Sequence, residues 1–298
     1  MTVARSAPCL RRSLLITPGD RPERIAKAAV SAADGAVLDL EDGVGPEQKP
    51  AARRAIVQAL AAIDFGGRER IVRVNAVGTP EHDADLAALD LTRLDTLFVP
   101  KVESGRQLED LTRWLDSRAA QSPPRTRPVE IIATIETPRG LLKALEIAEA
   151  SPRTSALFFG SGDYTAATGA QVTERALAMP RAIIVAAASA VRIEAIDAAY
   201  FVAVKDVAAT RADALVAREL GFAGKLLFHP SQIAVANEVF TPDAADIARA
   251  HRVVAAYSAA RDAGAGTAYV DGEFIAVDIA IMAERLLARA RRATAPRS

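Results

Sequence analysis

Residues 129–163 read VEIIATIETPRGLLKALEIAEASPRTSALFFGSGD. An apolar, β-branched run (129–135) ends on Glu136, a stretch of helical period follows (139–150), and a second apolar run (156–160) leads to Ser161, Gly162 and Asp163. Short apolar runs alternating with longer alanine-, leucine- and arginine-rich stretches are the pattern of βα units. The same alternation extends in both directions, with candidate strands at 13–17, 36–40, 70–75, 96–102, 195–200 and 225–228. The seventh run, 195–200, is the weakest because Asp197 interrupts it. Helices are expected at 22–31, 48–62, 105–116, 139–150, 180–191 and 212–220, their starts marked by proline or a polar cap, while 79–95 falls short of a full helix. Eight such units in 298 residues favour a closed (β/α)8 TIM barrel over an open sheet, because closure accommodates eight strands without edges. Thr17-Pro18-Gly19-Asp20 follows the first strand where a dinucleotide-binding GxGxxG would stand, so that reading loses its support.

The barrel is expected over 1–236. Residues 237–298 form a C-terminal helical and hairpin extension, with a helix at 243–262, a tight turn at Asp271-Gly272 within AYVDGEFI (268–275) and a last helix to about 293. Such a tail caps its own barrel or a neighbour's. The 37 basic and 37 acidic residues cancel, which removes the electrostatic case for nucleic acid or an acidic membrane as partner. Half the residues are hydrophobic and a quarter charged, ordinary globular values that exclude disorder. Cys9 is the single cysteine, so neither an internal disulfide nor a thiolate cluster is available, and it reads as a structural thiol. Residues 1–12 lack the apolar stretch of a signal peptide, and no run approaches the roughly 18 apolar residues of a membrane span. A cytoplasmic protein is expected.

Barrels place functional groups at the C-terminal ends of their strands. In order these ends carry Pro18, Gly19 and Asp20; Asp39, Glu41 and Asp42; Arg73 and Asn75; Lys101 and Glu103; Glu136; Asp163; Asp197; and His229. A carboxylate directly after a buried apolar strand is costly unless it is paired or holds a metal. Glu136 and Asp163 end consecutive strands and would repel one another in one mouth; a hard cation such as Mg2+ removes that repulsion. The alternative is pairing with Arg73, Lys101 or Arg139 and no metal, and spacing alone leaves both open. Arg73, inside an apolar strand, offers a planar fork for a substrate carboxylate, or an internal partner for Asp39 or Glu41. Asp39 and Glu41 share one side by alternation and would orient Arg73, Lys49 or a metal-bound water. The Gly160-Ser161-Gly162 turn permits close backbone approach. His229, Pro230 and Ser231 open the loop after the last strand, where barrels often place phosphate groups, although His229 also suits a role in satisfying loop backbone. His82 and His251 lie in polar helical contexts, and no nucleophile elbow or Ser-His-Asp arrangement is visible.

These stretches, in order RRSLLITPGDRPERIAKAA (11–29), AVLDLEDGVGPEQKPAAR (36–53), IVRVNAVGT (71–79), LFVPKVES (97–104), IIATIETPRGL (131–141), LFFGSGDYTAATGA (157–170) and ELGFAGKLLFHPSQI (219–233), resemble the family of the citrate lyase β subunit, malyl-CoA lyase and citramalyl-CoA lyase, within the HpcH/HpaI aldolase-like superfamily. The resemblance implies a (β/α)8 barrel, a homo-oligomer (trimer or hexamer), bound Mg2+, and making or breaking of a carbon–carbon bond beside a thioester. Its substrates would be an acyl-CoA thioester and a small oxo acid, with no organic cofactor. Carried over by position, Glu136 and Asp163 match the metal ligands, Arg73 matches the arginine on the oxo-acid carboxylate, Glu136 also lies at the substrate, and the first βα loop with His229, Pro230 and Ser231 matches the coenzyme A contacts. Many relatives carry a GKMVDRP-like segment after the tail hairpin, whose aspartate reaches a neighbouring subunit's site as acid or base. Here Ala276 occupies that place and Asp278 comes two residues later. Asp278 either substitutes or caps the last helix, the cap being the simpler reading. Two other functions remain: a pyruvate-type aldolase on free hydroxy acids, disfavoured because no histidine lies near the first two strands, and a non-catalytic metal-binding assembly subunit.

Overall fold

The computed structural model describes residues 9–125, 127–198 and 202–295. Eight parallel strands close in chain order into a barrel: β1 (Ser13–Pro18), β2 (Gly35–Asp39), β3 (Glu69–Arg73), β4 (Thr96–Val99), β5 (Glu130–Ile135), β6 (Thr154–Phe159), β7 (Glu194–Ala198) and β8 (Gly224–Leu227). The connections carry α1 (Pro22–Ala29), α2 (Lys49–Ala62), α3 (Pro80–Ala88), α4 (Gly105–Ala119), α5 (Pro138–Leu142), α6 (Ala144–Glu149), α7 (Ser161–Thr168), α8 (Glu174–Ala190) and α9 (Val207–Leu220), and α10 (Ile233–Val239) follows β8. The TIM barrel expected from the alternation is present, including its weakest strand, whose expected last residues 199 and 200 lie outside the described ones. Four helices differ clearly from expectation, among them α9, which starts at Val207 instead of 212 because Asp206 caps it. Residues 80–88 do form a helix, because Thr79 accepts a hydrogen bond from the His82 amide and Pro80 stands at the first position. α8 begins at Glu174, capped by Thr173, so Pro180 lies inside it rather than at its start. The 139–150 stretch breaks into α5 and α6 at Lys143.

Period-two alternation sorts the strand residues into layers inside the barrel. Leu14, Val37, Ile71, Phe98, Ile132, Ala156, Phe158, Ile196, Ala198 and Leu226 form one buried apolar plug with a contribution from every strand, Phe98 and Phe158 meeting at 5.1 Å between ring centres. Two residues towards the strand starts, the same face carries Glu69, Thr96, Glu130 and Thr154, all buried. Two residues towards the strand ends it carries Asp39, Arg73 and Thr134. The apolar plug therefore separates a polar floor from a polar mouth.

The floor is neutralised by the chain that leads into β1. Arg11, fully buried, donates from Nε and Nη2 to Glu69 (2.8 and 2.6 Å), from Nη2 to Glu130 (2.8 Å) and from Nη1 to the Ser155 hydroxyl (2.9 Å). Gly224 makes room for that crossing: a Cβ there would lie 1.8 Å from the Arg11 carbonyl oxygen. Cys9 sits beside this cluster, accepting from Arg127 Nη1 at 3.2 Å, and burial pushes its thiol up to about 12, as suits the structural role expected for it.

The chain divides into two compact units, Met1–Asn237 and Glu238–Ser298. The second contains α11 (Ala244–Asp262), the antiparallel hairpin β9 (Ala268–Val270) and β10 (Glu273–Ile275), and α12 (Val277–Thr294). Its Asp271-Gly272 turn has φ of +52° and +82°, as a two-residue type I′ hairpin requires. Val253, Ile275 and Leu287 lie in its own apolar cluster. No helix among the described residues is long and apolar enough to cross a membrane.

Removing one partner of a buried ion pair strands the other without compensation. Arg11→Met should therefore lower unfolding stability by about 3–5 kcal/mol in urea titrations, whereas breaking the exposed Arg106–Asp110 pair should change it by less than about 1 kcal/mol.

Candidate active site

At the mouth, β2 and β3 lie in a register that sets Asp39 beside Arg73. Arg73 donates to both Asp39 oxygens, from Nε at 2.6 Å and from Nη2 at 2.7 Å, and its Nη1 lies 3.1 Å from Glu41 Oε2. The same Asp39 oxygens accept the amides of Glu41 and Gly43, each at 2.9 Å, folding the 39–43 turn around the ion pair. Arg73 thus has the internal partners that the sequence allowed for, and its remaining N–H groups sit on the terminal nitrogens. Burial alone would lower the pKa of the guanidinium; Asp39, Glu41 and Glu136 outweigh it and raise it.

A second set of bonds fixes this turn from behind. Lys49 Nζ donates to the carbonyls of Leu40 (2.8 Å) and Glu41 (3.1 Å) and to Asn75 Oδ1 (2.5 Å). Asn75 donates to the Leu40 carbonyl and to Asp85, and Asp85 also accepts from Arg53. His82 hydrogen-bonds the Asn75 carbonyl through Nδ1 at 2.8 Å. Asp85 escaped the sequence reading because its helix did; Lys49 was visible there only as a possible partner of the acids.

On the opposite side, Glu136 follows β5 and is 3% exposed. The Lys101 amide donates to its Oε1 at 2.7 Å, and its carboxyl shares a hydrogen bond with Asp163, in the first turn of α7. Burial, then the negative charges of Glu41 and Asp163, push Glu136 from an ordinary 4.5 up to about 8. Lys101 Nζ lies 2.9 Å from Glu41 Oε1 and 3.7 Å from Asp42. Burial also raises the Glu41 pKa, against the opposing effect of Arg73 and Lys101. Glu41 Oε2 is buried without a hydrogen bond of acceptable angle, although it lies within ion-pair distance of Arg73.

The structure brings Asp39, Glu41, Arg73, Lys101, Glu136 and Asp163 into one cluster: four carboxylates facing two cations. Such a donor set fits a hard divalent cation. Glu136 packs directly against Gly160, where a Cβ would lie 2.4 Å from its Oε2. Cys9, Glu69 and Glu130 also bring ligand atoms within 4.8 Å of one another on the floor. There, however, Arg11 already bridges the two carboxylates and the thiol holds its proton.

Other candidates fall elsewhere. Arg139 is exposed and lies 3.7 Å from Glu103 instead of pairing with Glu136 or Asp163. Asp197 is not a mouth residue: it points outward from β7 to pair with Arg181 (2.8 Å) and Lys225 (2.6 Å), which Asp213 also joins. His229 Nδ1 lies 2.8 Å from Ser231 Oγ, and the Gln232 side chain accepts the Phe228 and His229 amides, so this loop caps the short turn Pro230–Gln232. Asp278 is exposed in the first turn of α12; the cap position is Ala276, which overturns the expectation that Asp278 caps the helix.

Residues 12–230 match the family model described as HpcH/HpaI aldolase/citrate lyase, and the chain belongs to that family. Among its curated relatives, a (3S)-malyl-CoA thioesterase of Cereibacter sphaeroides is 36% identical over 96% of this chain and 97% of its own. An L-malyl-CoA/beta-methylmalyl-CoA lyase of Rhodobacter capsulatus is 34% identical over 95% and 96%. The CitE protein of Mycobacterium tuberculosis, solved in complex with magnesium, acetoacetate and coenzyme A, is 35% identical with a TM-score of 0.74, covering 97% of this chain and 99% of that one.

The raised Glu136 pKa has a fixed sign in stability. Between 4.5 and about 8 the folded chain keeps a proton that the unfolded chain has released, so stability falls as pH rises through that window and levels off above it. Urea titrations on chelator-treated protein should show this decline, and Glu136→Gln should flatten it.

Proposed function

We propose that the protein is a Mg2+-dependent carbon–carbon lyase that cleaves or forms a β-hydroxyacyl-CoA of the malyl- or citramalyl-CoA type. The observation that carries this reading is the excess of carboxylate at buried Glu136 and Glu41 and half-buried Asp163, beside an arginine locked by Asp39. Magnesium in complexes of a 35%-identical relative, together with the lyase activity named for a 34%-identical one, supports it.

In the cleavage direction the substrate hydroxyl loses its proton, the oxygen's electron pair forms the carbonyl of an oxo acid, and the carbon–carbon bond electrons pass to the thioester as an enolate. Reprotonation at the α-carbon releases the acyl-CoA. Glu136 and Asp163 would hold Mg2+, which supplies Lewis-acid stabilisation of negative charge developing on oxygen. Arg73 binds the carboxylate next to the reacting carbon through its terminal N–H groups, while Asp39 keeps the guanidinium plane fixed. Asp39 and Glu41 support rather than contact the substrate. The first βα loop and the turn at His229, Pro230 and Ser231 would take the coenzyme A end. Asp278, exposed and not engaged as a cap, is the candidate that a neighbouring subunit would supply for proton transfer at the α-carbon. The protein is further read as a cytoplasmic homo-oligomer, trimer or hexamer, a state consistent with the exposed Tyr269, Phe274 and Met282 side chains of the second unit.

A second reading, hydrolysis of the thioester, is favoured by the activity named for the 36%-identical relative and by Ala276, which replaces a carboxylate at the expected place. Product analysis separates the two. With malyl-CoA or citramalyl-CoA and Mg2+, lyase action yields an acyl-CoA with glyoxylate or pyruvate, whereas hydrolysis yields free coenzyme A and the hydroxy acid. Glu136→Gln and Asp163→Asn should each weaken Mg2+ binding and cut turnover at least about a hundredfold, and Arg73→Lys should raise KM because a point charge replaces a fork. Unchanged Mg2+ titrations in both carboxylate variants would remove the metal assignment.

A further inference from the structure

Lys101 stands immediately beyond β4, between the two halves of the mouth, with φ of +51°. A side-chain-bearing residue in the left-handed region carries strain that persists only where the surroundings impose it. The other non-glycine residues described with positive φ are Asp271, in the hairpin turn, and Arg192, in the turn before β7; Lys101 alone among them is at the carboxylate cluster. Its surroundings do impose the conformation. The next amide, Val102, donates to the Thr134 carbonyl on β5 at 3.1 Å, strapping the segment to the neighbouring strand. With that strap in place the Lys101 amide meets Glu136 Oε1 at 2.7 Å while its side chain runs the other way, to Glu41 Oε1 at 2.9 Å.

We propose that Lys101 is a positioning residue that joins the arginine half of the mouth to the carboxylate half. The proposal rests on the lyase reading given above. Its amide holds Oε1 of Glu136, which fixes the carboxyl against Gly160 and beside Asp163. Its ammonium holds one oxygen of Glu41, whose other oxygen lies 3.1 Å from Arg73 Nη1. Glu41 is thereby shared between two cations, and Arg73 is not wholly claimed by it. Without the ammonium, Glu41 has Arg73 as its remaining cation in the cluster and competes directly with a substrate carboxylate for it.

Three substitutions test this. Lys101→Met removes the ammonium and keeps the stem and the strained backbone. Lys101→Gly removes the ammonium and relieves the strain while keeping the amide. Lys101→Arg restores a charge. Lys101→Met and Lys101→Gly should both raise KM for the thioester, and the Kd of pyruvate on the Mg2+-loaded protein, by about tenfold or more. Lys101→Arg should recover most of that loss. The Mg2+ affinity measured by calorimetry should stay equal or tighten in the Met and Gly variants, because a competing positive charge has left the carboxylates. Lys101→Gly should in addition raise Tm while KM worsens, as strain kept for function requires. KM and pyruvate affinity within twofold of wild type in both variants would overturn the proposal. Mg2+ affinity falling in step with them would do the same, since that marks general collapse of the mouth. If the wild-type protein binds pyruvate with Mg2+ but turns over no thioester, the lyase reading fails, and the two titrations still decide the role of Lys101.

Discussion

Burying a carboxylate without an equal charge beside it is among the least favourable things a fold can do, and this barrel does so at Glu136, pushing it up to about 8. Much of the mouth is arranged around that fact. The Lys101 amide holds one oxygen, Gly160 makes room for the carboxyl itself, and Asp163 shares a hydrogen bond with it. The two cations within reach are both committed to other acids, Arg73 to Asp39 and Lys101 to Glu41. A divalent cation resolves the imbalance in the proposed reading, and no other charged cluster described in the barrel needs one.

On the floor, Arg11 satisfies Glu69 and Glu130 with good geometry. Outside β7 and β8, Asp197 and Asp213 are matched by Arg181 and Lys225. In both places the buried acids have cationic partners of their own, as structural ion pairs must. The apolar plug from Leu14 to Leu226 separates the compensated floor from the unbalanced mouth, so rigidity at one end of the barrel supports reactivity at the other.

Much of this was legible in the sequence. The strand count, the barrel, the hairpin at Asp271-Gly272 and the convergence of Asp39, Glu41, Arg73, Glu136 and Asp163 follow from alternation and from reading strand ends in order. What escaped has physical reasons. Asp197 ends an apolar run as Glu136 does, yet side-chain parity turns it outward, and a one-residue difference in phase cannot be read from a run broken by polar residues. Asp85 was missed because a nine-residue helix starting at Thr-Pro looked too short to be one. Lys101 was legible as a strand-end charge able to pair with the acids, but its left-handed backbone was not, since that conformation is imposed by neighbours and not by the residue itself. Ala276 takes the cap of α12 without a side-chain bond, a position where sequence preference pointed to Asp278.

With its pKa raised to about 8, Glu136 keeps a proton near neutral pH in the proposed reading until a divalent cation takes its place. Calorimetric Mg2+ titrations near pH 7 in buffers of different ionisation enthalpy measure that proton directly. The account predicts release of about one proton per Mg2+ bound, declining to none once the pH is well above 8, and no such release in Glu136→Gln. Mg2+ binding with no proton release near neutral pH, or release that persists unchanged in Glu136→Gln, would contradict it.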